Sequence, residues 1–96
     1  MPEFLHVADF KKHLHSTFHV ETPIALKLEL EEIDDRSNAK IEQFSLLFTG
    51  PETPWLQQGT YKLQHAEMGE QEIFMVPLGP RAGKMQYQAI FSRLIS

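Results

Sequence analysis

Residues 43–91 read QFSLLFTGPETPWLQQGTYKLQHAEMGEQEIFMVPLGPRAGKMQYQAIF, and this stretch decides the fold. Apolar residues alternate or run in short blocks between Gly and Pro, the punctuation of an antiparallel meander. The spacing predicts a strand ending at Phe48-Thr49-Gly50-Pro51, a hairpin from Gly59 to Leu78 and a last strand from Lys84. Tyr61, Leu63 and His65 share one face, and Glu67-Met68-Gly69 makes the reversal, with Gly69 free to adopt a left-handed conformation. Ile73-Phe74-Met75-Val76 is apolar at every position, which predicts a strand buried on both sides at the centre of the core. Pro77, Gly79 and Pro80 are expected to end that strand, because proline donates nothing to a ladder. Arg81-Ala82-Gly83 then turns the chain, and Met85, Tyr87, Ala89 and Phe91 alternate inward. The irregular segment from Gly50 to Gln58 is expected to cross from one edge or layer of the sheet to another.

Upstream, Ile41 to Thr49 forms a strand with Phe44, Leu46 and Phe48 inward. Before it, Ile24, Leu26, Leu28 and Leu30 alternate with Lys27, Glu29 and Glu31, so one face meets the core and the other meets water. Asp34-Asp35-Arg36-Ser37-Asn38 carries polar turn chemistry. Thr17 to Glu21 is a short strand, and Val7, Phe10 and Leu14 stripe one face of a short N-terminal helix. That helix is too short to stand alone and must dock on the sheet. Arg93-Leu94-Ile95-Ser96 reads as a tail. The sum is one mainly β domain over residues 1–96, a small antiparallel barrel or sandwich of about six strands with one short helix. Phe10, Phe18, Phe44, Phe48, Phe74 and Phe91 are all expected inside, which fills the interior of so short a chain.

Composition narrows the function. A net charge of −4, with scattered basic residues and only Lys11-Lys12 adjacent, argues against nucleic acid and anionic membrane surfaces. The absence of cysteine excludes disulfides, thiolate metal sites and cysteine nucleophiles. No apolar run reaches the ~20 residues of a membrane helix, and the N-terminus lacks the basic start and apolar block of a secretion signal. A soluble, cytoplasmic protein is the expectation.

Four segments carry a resemblance: FSLLFTGP at 44–51, QGTYKLQH at 58–65, FMVPLGP at 74–80 and MQYQAIF at 85–91, with Ala8-Asp9-Phe10 near the start. In that order they resemble a family of bacterial proteins of about 100 residues, a domain of unknown function. The resemblance implies genomic neighbourhood with phage-tail-like fibre and collar proteins, and hence an accessory to assembly or adhesion rather than an enzyme. No cofactor is expected.

Candidate sites follow from residue chemistry. His13, His15 and His19 have the ligand type for zinc, copper or nickel, against the plainer reading of exposed histidines on a polar face. His65 with Glu67 and Glu72 offers an acid–base cluster across the hairpin, the seed of a hydrolase-like reading, although no G-x-S-x-G elbow is present. The acidic run Glu29, Glu31, Glu32, Asp34 and Asp35 lacks the spacing and glycine of a calcium loop and reads as a solvated face. Trp55 and Leu56 stand in the long loop, either as a rigid anchor for a partner or as a plug for the core. With Leu94 and Ile95 of the tail they are the apolar groups expected to meet a protein partner or a second copy. A non-enzymatic binding or assembly module is the leading expectation. A barrel that binds a small molecule or metal is the second.

Overall fold

The computed structural model describes residues 6–94. A one-turn helix, α1 (Val7–Lys11), precedes six strands: β1 (Thr17–Val20), β2 (Leu26–Asp35), β3 (Ile41–Pro51), β4 (Gly59–His65), β5 (Gly69–Arg81) and β6 (Lys84–Leu94). They form a closed antiparallel barrel in the order β1-β2-β3-β6-β5-β4. Closure supplies the second layer that a half-apolar sheet needs. No helix among the described residues is long and apolar enough to cross a membrane.

The barrel is unequal around its circumference. β3 and β6 pair along their whole lengths, from Ile41 opposite Leu94 to Pro51 opposite Lys84. The closing seam is short: β1 meets β4 at His19 opposite Gln64 and Val20 opposite Leu63.

The alternation read from β2 holds, with Leu26, Leu28 and Leu30 buried and Ile24 packed against them. The expected turn at Asp34-Asp35 is instead the end of this strand. A bulge between Leu30 and Glu32 lets it continue. The extra residue reverses the alternation, so Glu31 and Glu32 both point outward and Ile33 returns to the core.

The central-strand expectation for Ile73-Phe74-Met75-Val76 is corrected. Ile73 and Met75 are buried, but Phe74 is 50% exposed on the outer face. The strand therefore has one dry face, and Phe74 is not among the interior phenylalanines; Phe91 is only partly buried. Nor do the prolines end it. β5 runs on to Arg81 through a register shift between Pro77 and Gly79, where an irregular ladder accommodates the missing proline donor. Ala82 and Gly83, both with positive φ (53° and 82°), then make a two-residue hairpin turn whose twist matches the strands. Gly69 takes the left-handed conformation expected of it, with φ of 76°.

Two pieces of non-strand chain close the interior. β3 is followed in sequence by β4 but neighboured by β6, so residues 52–58 must cross between strands that are not adjacent in the barrel. There Leu56 enters the core at 1% exposure. At the end where Phe44 and Phe91 stack 4.8 Å apart, Phe10 of α1 packs on both rings, at 5.9 and 5.6 Å. Leu14, expected on the buried stripe, is exposed, because the α-helix stops at Lys11 and the chain turns through a left-handed His15 (φ 69°) into β1. The expected tail is also shorter, since β6 extends to Leu94.

Candidate functional site

His65 is the last inward residue of β4, at the rim of the barrel. Its ring lies 4.5 Å from that of His13 and 4.7 Å from that of Phe18, centroid to centroid. Nδ1 accepts from the backbone N–H groups of Glu67 and Met68, at 3.0 and 3.2 Å. A backbone N–H can only donate, so Nδ1 is bare and the proton of the neutral ring sits on Nε2. Nε2 then donates to Ser16 Oγ at 2.9 Å, and the Ser16 hydroxyl donates to the His13 carbonyl. The hairpin tip is thereby tied to the corner between α1 and β1.

The direction of these bonds bears on catalysis. A general base must offer an unprotonated nitrogen to the hydroxyl it activates. Here the nitrogen facing Ser16 carries the proton. Glu67 lies 3.7 Å from His13 Nδ1 rather than behind His65, and Glu72 is on the outer face of β5, opposite Lys62. The expected His65, Glu67 and Glu72 cluster is not assembled; the group is a clamp. Burial pushes the His65 pKa below its ordinary value, and the neighbouring charges of His13 and His19 push it the same way, while Glu67 opposes them.

The three histidines proposed as a metal set are separated. His13 faces His65, His15 stands over β2, and His19 points outward from β1 beside the buried Phe18 and Val20. His15 instead joins Glu29 and Glu31, with donor atoms within 4.8 Å of one another. The His15 N–H donates to the Leu30 carbonyl at 2.7 Å, which hangs the ring between the two glutamates, and Thr49 Oγ1 donates to Glu31 at 3.1 Å. One imidazole and two carboxylates form a donor set that zinc accepts, but all three side chains reach solvent. Elsewhere in the acidic run, Asp34 pairs with Arg36 and Asp35 with Lys11.

Of the expected partner-binding residues, Trp55 is 44% exposed. Leu56 is not available: it plugs the core, and its N–H donates to Tyr87 Oη at 2.9 Å. Leu94 ends β6 opposite Ile41, and Ile95 lies outside the described residues. An apolar surface that sequence reading missed lies on the outside of β5 and β6, where Phe74, Leu78 (52% exposed) and Ile90 (67% exposed) meet solvent. Phe74 lies opposite Thr60 of β4, two residues before the β5–β6 ladder begins at Val76 opposite Gln88. Phe74 sat in a run read as doubly buried and Ile90 in a run read as alternating, so the only signal was that Ile90 falls out of phase with Ala89 and Phe91. Sequence reading also missed Glu42, a buried carboxylate that accepts from the Val7 N–H at 3.2 Å and pairs with His6, fixing the start of α1.

Residues 5–91 match the model of a family described as a domain of unknown function (DUF6916), and the chain belongs to that family. No curated protein and no solved structure matches it.

Proposed function

We propose that this member of the DUF6916 family is a binding or assembly module without catalytic machinery, acting through apolar side chains on the outside of a closed barrel. The observation that carries the reading is the exposure of Phe74, Leu78 and Ile90 on two neighbouring strands. Phe74 and Leu78 on β5 and Ile90 on β6 are large apolar groups left in water, the kind of surface a partner can cover. Trp55, a rigid amphipathic side chain in the loop at 52–58, adds a second anchor. The interior supports a module rather than a container: Phe18, Phe48, Leu63, Met75 and Tyr87 fill it. The partner is another protein or a second copy of the chain, since a net charge of −4 gives little attraction for nucleic acid or anionic lipid. The resemblance supplies a setting for the same proposal, an accessory of phage-tail-like fibre or collar assembly.

The test is a double substitution, Phe74→Gln with Ile90→Gln, followed by sedimentation and by pull-down of the products of neighbouring genes. Loss of self-association or of a retained partner, with the fold intact, supports the surface. Association unchanged in this variant, and again in Trp55→Ala, discards it.

A further inference from the structure

We propose that His65 is a proton-operated latch on the seam between β1 and β4: the neutral ring holds the seam shut, and protonation releases it. The latch lies away from the β5–β6 face and does not depend on that face being a contact surface.

Three independent features of the geometry carry it. Both ring nitrogens are committed, and in opposite senses. Nδ1 must stay bare to accept from the N–H groups of Glu67 and Met68, while Nε2 must keep its proton to donate to Ser16. A second proton can enter only at Nδ1, where it would face two backbone donors and turn attraction into repulsion. The ring also sits where the barrel is least secured. The β1–β4 ladder consists of the pairs His19–Gln64 and Val20–Leu63, and His65 is the next residue along β4. Finally, the ring spans both sides of the seam. It lies on Phe18 of β1 and on His13 of the preceding corner, while its own backbone belongs to β4.

The groups facing His65 set the sign. From the corner before β1 comes His13, from β1 His19, and from the hairpin tip Glu67. Burial and the two histidines disfavour a charged ring; Glu67, whose carboxylate is 3.7 Å from His13, only partly offsets them. A histidine that resists its proton in the closed state takes it more readily in the open one. Opening is therefore favoured as pH falls below the ordinary histidine value, and closure is complete above it. The opened seam would bare the ladder edges of β1 and β4 and the apolar groups behind them, Phe18, Val20 and Leu63.

Amide hydrogen exchange on the full chain, corrected for intrinsic rates, tests this between pH 7.5 and 5. Protection at residues 17–20 and 59–68 is expected to fall by up to about tenfold for each unit by which the closed-state His65 titrates below its ordinary value. Protection in the β3–β6 ladder is expected to hold. His65→Asn keeps a side-chain acceptor for the turn amides but cannot titrate, so its protection at the seam is expected to be flat with pH. Ser16→Ala keeps every titratable group but removes a tie between the hairpin tip and the corner before β1, and is expected to lower protection at the seam at both ends of the pH range. A seam that stays equally protected in the native chain, or one that still opens with acid in His65→Asn, overturns the proposal. Nitrogen chemical shifts give a reading without any variant: the neutral ring must carry its proton on Nε2, and a proton found on Nδ1 sinks the latch.

Discussion

The backbone N–H of Leu56 donates to the phenol oxygen of Tyr87 at 2.9 Å, both residues being buried. This bond fastens the crossing segment at 52–58 to the inward face of β6. Burial pushes the Tyr87 pKa above the usual phenol range, so the hydroxyl stays neutral across the ordinary pH range. Tyr87→Phe keeps the ring but leaves the Leu56 N–H buried without its acceptor, which is expected to cost about 1–3 kcal/mol. Denaturant unfolding at unchanged slope measures it.

Neighbours in the same loop are expected to differ sharply. Leu56→Ala empties a fully buried site and should cost about 2–5 kcal/mol. Trp55→Ala removes an exposed side chain and should stay within about 0.5 kcal/mol of the native chain. Acrylamide should quench the single tryptophan of the isolated protein readily; a protected Trp55 would contradict the exposure seen here.

The same comparison applies along β5. Met75→Ala is expected to cost about 2–5 kcal/mol, because Met75 is buried. Phe74→Ala, one residue away and half exposed, is expected to cost about 1 kcal/mol or less. Equal losses at the two positions would restore the doubly buried strand.

Asp35 joins the end of β2 to α1. The Ser37 backbone N–H first, and the Lys11 ammonium second, hold its pKa down to about 2 from 3.8. A lowered carboxyl pKa contributes stability that is complete above the ordinary value and is lost as pH falls from there through about 2. Carbon-detected titration should place the Asp35 midpoint near this value, and Lys11→Ala should raise it while leaving the effect of Ser37 in place.

Among the histidines, His15 is expected to respond first to added zinc, because two carboxylates stand within 4.8 Å of its ring donor. His13 has a second imidazole beside it and Glu67 at 3.7 Å, and His19 belongs to no such cluster among the described residues. Ring resonances followed during a zinc titration check the order. His15→Ala should abolish the first response.

Much of the framework was legible because it rests on period-two patterning and on turn chemistry that acts locally. Leu26, Leu28 and Leu30, Phe44, Leu46 and Phe48, and Met85, Tyr87 and Ala89 face inward as their alternation requires. Two errors share a cause. A bulge inserts one residue and shifts the phase of everything after it, so Asp34 and Asp35 stayed in the strand, and Pro77 and Pro80 did not end theirs. An apolar run is equally consistent with two dry faces or with one dry face and an apolar patch on the other, and Phe74 takes the second.

The sequence by itself determined a mainly β fold, its strand phases over most of their length, the Gly69 turn and a family resemblance, because each depends on neighbours a few residues apart. Only the tertiary structure decided that the sheet closes through the short β1–β4 seam, that Leu56 is the plug and Trp55 is not, and that Ser16 meets His65 with the proton on the wrong nitrogen for base catalysis. Those relations join residues up to 49 positions apart, and hydrogen-bond direction depends on which donors surround a ring after folding. Residue spacing along the chain carries no record of either.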